Sequence, residues 1–84
     1  MYIKRLKDLR EDNDLTQEEL CKRINCKQQA YSLYEVGKRN IPFEILIQLA
    51  LYYNTSTDYI LGLTNIKKPY LKNERRKNIV FLTR

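Results

Sequence analysis

Apolar residues recur every three or four positions through most of the chain, which predicts a series of short α-helices. Ile3, Leu6 and Leu9 share one helical face and predict a first helix over residues 2–12. The polar pair Asn13 and Asp14 ends that helix. Helices this short are not stable alone, so their apolar faces must pack together to form a core.

Two further helices follow in close succession. The Thr16 hydroxyl can accept from the Glu19 amide while the Glu19 carboxylate reaches back, so a capping box opens the second helix. Asn25 tolerates the left-handed backbone of a sharp turn after it. A third helix is predicted over residues 27–36 and ends at Gly37 by left-handed capping.

Two more helices complete the pattern. Pro42 suits the first turn of a fourth helix, where its missing N–H is not needed, and Asn54 ends that helix. Ser56 caps a short fifth helix that runs to Gly62. The chain is therefore predicted to be all-α, with five short helices in residues 1–63 and a tail over 64–84.

The second and third helices, within residues 17–36, form the most informative unit. Two helices joined by a turn of about three residues pack at a steep angle, so the second can project into a DNA major groove. This geometry needs a small residue at the crossing, which Cys21 supplies, and apolar residues that lock the pair. The locking residues are Leu20, Ile24, Tyr31 and Tyr34, which leaves Lys27, Gln28, Gln29, Ser32 and Leu33 to point outward.

Charge is unevenly distributed along the chain, whose formal net charge is +6. Residues 1–63 hold nine basic and nine acidic side chains, whereas residues 64–84 hold seven basic against one acidic. A basic stretch beside a helical unit suits a polyanion as partner, although charge runs are more often solvated surface.

Other functional classes find little support in the residues. The chain has no histidine, no glycine-rich phosphate loop and no carboxylates arranged to share a cleft, so we expect no enzyme and no cofactor. Cys21 and Cys26 lack further ligands at metal-binding spacing, so no metal is expected and both should stay thiols. No apolar run predicts a secretion signal or a membrane span, so a soluble cytoplasmic protein is expected.

Three motifs carry a resemblance to a known family. They are LTQEEL at residues 15–20, YEVGKR at 34–39 and STDYILG at 56–62. At this spacing the chain resembles the Cro/C1-type (XRE) helix-turn-helix family of phage repressors and small bacterial regulators. The resemblance implies a compact five-helix, lambda-repressor-like DNA-binding domain over residues 1–63.

The resemblance also implies roles for individual residues. Residues 27–36 correspond to the recognition helix, and Gln17 lies where the family approaches a phosphate. Arg10 and Glu35 match positions at which the family often forms an ion pair, and a half-buried pair fits physically because either charge alone would be costly to bury. The chain departs from the family pattern at Asn25, where glycine is favoured, at Cys21, where alanine is usual, and at Tyr31, where Ile or Val is common.

The outward residues have chemistry suited to DNA. Gln28 and Gln29 each offer a donor and an acceptor that match adenine N6 and N7, so they are the predicted base readers. Ser32 can reach a base or a phosphate. Leu33 either touches a thymine methyl or makes a dimer or core contact. Phosphate contacts are expected from Lys27, Lys38 and Arg39 with help from Asn40, and from the free amides that start the second and third helices.

The expected function is therefore a sequence-specific transcriptional regulator of bacterial, phage or mobile-element type that represses. A homodimer on a palindromic operator is expected, with half-sites roughly 34 Å apart and with the fifth helix or the tail as dimer surface. The alternative is an antitoxin-like regulator whose tail, 64–84, binds a partner protein. Within the tail, 79–82 is apolar and strand-prone but also fits one helical face with Leu71 and Arg75.

Overall fold

The computed structural model describes residues 1–70, so the predictions for residues 71–84, including the apolar run at 79–82, lie outside it. Within this range all regular secondary structure is α-helical. The helices are α1 (Lys4–Asp12), α2 (Gln17–Arg23), α3 (Gln28–Val36), α4 (Phe43–Tyr52) and α5 (Thr57–Leu61). None of the helices in residues 1–70 is long and apolar enough to cross a membrane. The predicted all-α, five-helix arrangement is confirmed.

Two of the helices begin at the side-chain caps that the sequence predicts. At α2 the Glu19 amide donates to the Thr16 hydroxyl at 3.1 Å, and the Thr16 amide donates to the Glu19 carboxylate at 2.8 Å. At α5 the Tyr59 amide donates to the Ser56 hydroxyl at 2.9 Å. Such caps stabilise a helix by about 1 kcal/mol each because they satisfy amides that have no partner within the helix.

The other helix boundaries differ slightly from the prediction. Lys27 and Pro42, predicted inside α3 and α4, have extended backbones with ψ of 136° and 153° and therefore stand just before their helices. Ile3 likewise precedes α1. Proline is accepted at either position because the first helical N–H has no partner, so the sequence could not separate the two.

The turn between α2 and α3 is built around the two cysteines. Asn25 adopts the predicted left-handed conformation, with φ of 54°. The Cys26 amide then donates back to the Cys21 carbonyl at 3.2 Å, the six-residue hydrogen bond of a Schellman turn. Cys21 is buried and Cys26 half-buried, and burial raises the pKa of Cys21 to about 11. Both residues therefore act as small apolar side chains in the turn.

The core lies between the helices, because α3 packs against α1 and α2, while α5 packs against α1 and α4. Each helix places one apolar face inward, as the spacing predicts. The most deeply buried side chains are Leu6, Leu9, Leu20, Ile24, Tyr31, Leu49 and Ile60. Burial of each stabilises the fold by roughly 1.5–3 kcal/mol, so this shared core supplies most of the stability that holds the helices together.

Residues after α5 fold back onto the helices. The Arg5 guanidinium donates to the carbonyls of Tyr59 (2.7 Å) and Thr64 (2.6 Å) and lies 4.0 Å from the centre of the Tyr59 ring. Tyr70 donates to the Asp58 carboxylate at 2.5 Å. The chain therefore stays against α5 beyond residue 63, where the sequence predicted the tail to begin.

Two left-handed glycines allow a matched test of the packing at the end of α3. Gly37 and Gly62 have φ of 84° and 85°. A Cβ on Gly37 would lie 3.0 Å from the Tyr2 Cα, whereas a Cβ on Gly62 would meet nothing within 4 Å. We expect Gly62→Ala to lower the free energy of unfolding by about 1–2 kcal/mol through backbone strain alone.

Gly37→Ala should cost more than Gly62→Ala, because the N-terminal segment must also move away. Urea unfolding of the two variants beside the wild-type protein measures the difference. Equal losses would mean that the contact between Tyr2 and Gly37 contributes nothing to stability.

Candidate nucleic-acid interface

A buried ion pair fixes α3 to α1. Arg10 Nε and Nη2 donate to the two carboxylate oxygens of Glu35, each at 2.9 Å, and Arg10 Nη1 donates to the Leu15 carbonyl at 2.8 Å. Only 13% of the Arg10 side chain and 5% of the Glu35 side chain are exposed, so the pair is more buried than the sequence suggested. Two parallel hydrogen bonds join the guanidinium to the carboxylate, so each charge compensates the other in a place that water hardly reaches.

The Glu35 carboxylate has further polar neighbours. Gln17 Nε2 donates to Glu35 Oε1 at 3.1 Å, and the buried Tyr31 hydroxyl lies nearby without a hydrogen bond of good geometry. Burial alone would raise the pKa of Glu35, but the hydrogen bonds from Arg10 and Gln17, the nearby Tyr31 hydroxyl and the positive charge of Arg10 together hold that pKa below its ordinary value. Glu35 is therefore ionised at neutral pH.

The Gln17 side chain has a partner within the protein. Its side-chain amide donates to Glu35 and is half-buried, and the phosphate contact that the resemblance implies stays a prediction. The main chain of Gln17 still begins α2. The sequence could not reveal this contact, because nothing in the spacing of Gln17 and Glu35 indicates that α2 and α3 bring them together.

The N-terminal end of α3 is open to solvent. Lys27, Gln28 and Gln29 are exposed, as the sequence predicted. No side chain caps the first turn of α3, so its leading amides are free of side-chain partners, unlike the Glu19 amide of α2. Free amides and the positive end of the helix dipole favour an anion at this end of the helix.

The next outward positions of α3 are less open. Ser32 and Leu33 are half-buried, so Leu33 points outward only in part. The Ser32 hydroxyl donates to the Gln29 carbonyl at 3.1 Å, a bond that an approaching base or phosphate would have to replace. Gln28 and Gln29 therefore offer the most exposed side-chain amides of α3.

The loop after α3 presents exposed cations. The Lys38 and Arg39 amides both donate to the Leu33 carbonyl, at 3.0 and 3.3 Å, which fixes the loop on the end of the helix. Within residues 1–70, Lys27, Lys38 and Arg39 form no salt bridge. By contrast, the exposed lysines of α1 and α2 pair with acids in the same helix, namely Lys4 with Asp8, Lys7 with Glu11 and Lys22 with Glu18.

The N-terminal segment completes this edge of the surface, which the sequence analysis did not predict. Asn40 Oδ1 accepts from the Met1 amino group at 3.3 Å, as does the Gly37 carbonyl. Tyr2 lies across Gly37 with its own side chain exposed. A glycine at position 37 is compatible with a close backbone neighbour, but the left-handed helix cap explains the glycine equally well.

The surface therefore combines two kinds of group. Amide side chains at Gln28 and Gln29 can exchange paired hydrogen bonds with a base edge, and the flanking cations can meet phosphates. The ion pair and the core hold this surface outward.

Comparison with known proteins identifies relatives over most of the chain. A helix-turn-helix family model matches residues 6–60. The chain is 36% identical over 80 residues to the uncharacterized HTH-type transcriptional regulator YobD of Bacillus subtilis (strain 168). This match covers 95% of this chain and 71% of YobD. It is 38% identical over 71 residues to the HTH-type transcriptional regulator ImmR of the same organism, covering 84% of this chain and 54% of ImmR.

A third relative is the uncharacterized HTH-type transcriptional regulator YqaE, also of Bacillus subtilis (strain 168), at 32% identity over 68 residues. That match covers 80% of this chain and 59% of YqaE, so the chain spans little more than half the length of ImmR and YqaE. No solved structure matches the chain.

The buried pair yields a prediction about stability. Arg10→Met leaves the Glu35 carboxylate buried without its cation and should lower the free energy of unfolding by roughly 3 kcal/mol. Adding Glu35→Leu to that variant should restore part of the loss, because neither charge then remains. Chemical unfolding of both single variants and the double variant gives the coupling; additive losses would contradict the pair.

The same pair predicts a dependence on pH. Because the pKa of Glu35 is lower in the folded protein than its ordinary 4.5, its contribution is complete above that value and is lost as the pH falls through the folded pKa. The stability difference between wild type and Glu35→Gln should therefore shrink as the pH falls from about 6 to about 3. A difference that stays constant would show that Glu35 does not titrate as proposed.

Proposed function

This chain belongs to the XRE-type helix-turn-helix family of DNA-binding transcriptional regulators, and we propose that it represses transcription by binding a palindromic operator as a homodimer. The observation that carries the proposal is the exposed start of α3, where two adjacent glutamines stand between cations that form no salt bridge within residues 1–70. Repression requires only that the bound protein occupy the promoter, and no further chemistry is needed.

Sequence reading is assigned to Gln28 and Gln29. Their exposed amide groups can each present a donor and an acceptor to adenine. The next outward residues of α3, Ser32 and Leu33, are less exposed and cannot form such a pair of hydrogen bonds. Ser32 and Leu33 lie one turn further along the helix and are half-buried, which suits a supporting contact with a phosphate or a thymine methyl. Adenine-containing half-sites are therefore the expected targets.

Position on the duplex is assigned to the groups that contact phosphates. Lys27 and the free amides of the first turn stand at one end of α3, and Lys38 and Arg39 stand at the other. Asn40 is placed beside them, and Gln17 is assigned to this set through its place at the start of α2. Contacts of this kind fix the register of the protein without reading sequence.

Two expectations concern the assembly. A single module of this size contacts only a few base pairs, so two copies are needed for a specific site, and a two-fold dimer requires a palindrome. A DNA-binding regulator of this family meets its target in the cytoplasm of a bacterium. ImmR and YqaE extend well beyond the region that matches this chain, so no regulation of those proteins is assigned to this chain.

The base-reading assignment is tested by Gln28→Ala. We expect this variant to bind the operator roughly 1–3 kcal/mol more weakly and to lose preference at one base pair, because a paired hydrogen bond is removed. Selection of sites from random duplexes, followed by titration of the best site, measures both effects. Gln48→Ala removes the same side chain from α4 and should change neither; unchanged preference in Gln28→Ala would refute the assignment.

The phosphate assignment is tested by Lys38→Ala. Loss of one phosphate contact should weaken binding to all sequences alike and reduce the slope of log K against log salt by about 1. Lys7→Ala removes an exposed lysine of α1 that pairs with Glu11 and should leave the slope unchanged. Equal slopes for Lys38→Ala and wild type would remove Lys38 from the phosphate set.

A further inference from the structure

Val36 is an exposed apolar residue on the outward surface of α3. It is 57% exposed, whereas the other apolar side chains of α3 are half-buried or buried. Seven residues complete almost two helical turns, so Val36 stands within about 20° of Gln29 around the helix axis and roughly 10 Å further along it. Val36 therefore faces the same way as a predicted base reader.

The fold itself does not account for a valine at this position. Tyr31 and Tyr34 supply the inner face of α3, and Val36 lies outside the core that they help to form. A branched side chain also lowers helix propensity, so valine does not favour the helix here. Because single exposed apolar residues are common on proteins, the surroundings of Val36 and not its exposure alone must show what it contacts.

Val36 stands at the end of α3 that carries the cations. Gly37 follows it in the left-handed conformation. The Lys38 and Arg39 amides then return to the Leu33 carbonyl at 3.0 and 3.3 Å, so the loop with the two cations lies against the last turn of the helix. Phosphates bound by this loop would bring the wall of a DNA groove close to Val36.

The length of α3 fits the same arrangement. From Gln28 to Val36 the helix rises about 12 Å, which is also about the width of the major groove of B-DNA. With the free amides beside Lys27 at one backbone and the loop cations at the other, the two ends of α3 lie near opposite walls of the groove. Val36 then meets the outer part of a base-pair edge and not its centre.

The outer part of that edge offers a group that suits valine. An A·T pair presents the C5 methyl of thymine next to the backbone of the thymine strand, whereas the groups nearer the centre are hydrogen-bond donors and acceptors. This methyl is the apolar group that bases display in the major groove. A valine methyl packed on it removes apolar surface of both molecules from water.

We infer that Val36 packs against the C5 methyl of a thymine and so adds a thymine to the half-site that Gln28 and Gln29 read. This inference rests on the proposed function and gives a role to a residue for which the sequence analysis predicted no contact. Val36 and Gln29 are separated by roughly 10 Å, about three times the rise of one base pair. The thymine therefore belongs to a different base pair from the one that Gln29 contacts.

Uracil tests this contact, because it differs from thymine only by the missing C5 methyl. In a selected operator, each thymine of one half-site is replaced singly by uracil, and the dissociation constant of the wild-type protein is measured for each duplex. Replacement of one thymine should weaken binding about fourfold, the effect of one buried methyl group. Val36→Ala should bind the unmodified operator several-fold more weakly than wild type and should lose its sensitivity to uracil at that position alone.

Two variants serve as controls. Leu63→Ala removes an apolar side chain that is 74% exposed beyond α5, and it should respond to every uracil as the wild type does. Leu33→Ala changes the half-buried neighbour of Val36 and should keep the uracil effect at the thymine assigned to Val36. Thermal unfolding checks that each variant is folded, and Val36→Ala should match the wild type because alanine favours a helix more than valine does.

The uracil series separates this inference from the proposed function. A wild type that binds the operator but responds to no uracil would overturn the inference, as would full uracil sensitivity in Val36→Ala. Loss of the uracil effect in Leu33→Ala and not in Val36→Ala would assign the methyl contact to Leu33 and overturn it equally. A wild type that binds no duplex at all would instead overturn the proposed function, on which the inference depends.

Discussion

The buried pair of Arg10 and Glu35 is the constraint on which the rest of the structure depends. Two charges with so little exposure are tolerated only in a closely defined geometry, because a shift of either helix would leave one charge without its partner. Arg10 also binds the Leu15 carbonyl, and Gln17 binds Glu35. The pair therefore fixes α1, the start of α2 and the end of α3 together, and with them the direction in which α3 faces.

The outward face of α3 follows from that constraint. Tyr31 and Tyr34 fill the core on the inner side, and Gln28 and Gln29 at the start of the helix are left exposed. Gly37 then turns the chain so that Lys38 and Arg39 stand beside the helix and not along its axis. Amides at one end and cations at the other are what a helix needs to sit in a groove between two phosphate backbones.

The features that could be predicted from the sequence are those set by local chemistry. Thr16 and Ser56 cap helices because their hydroxyls accept from free amides nearby in the chain. Asn25 adopts the left-handed backbone conformation because asparagine tolerates it where the chain leaves α2 in a sharp turn. The hydrogen bond from Gln17 to Glu35 could not be predicted, since it depends on how two helices cross. Periodicity does assign Leu46, Leu49 and Ala50 of α4 to the core, and they are buried there. It does not predict a role for the apolar residues that α4 leaves exposed on its other face.

The central claim is that Gln28 and Gln29 contact the DNA bases, and side-chain amide NMR signals report on it most directly. The chain has four glutamines, and Gln48 on α4 serves as the internal reference. On addition of a duplex that carries a single selected half-site, the Gln28 and Gln29 side-chain signals should shift strongly while that of Gln48 stays in place. Signals of Gln28 and Gln29 that remain unmoved on a fully bound duplex would contradict the account.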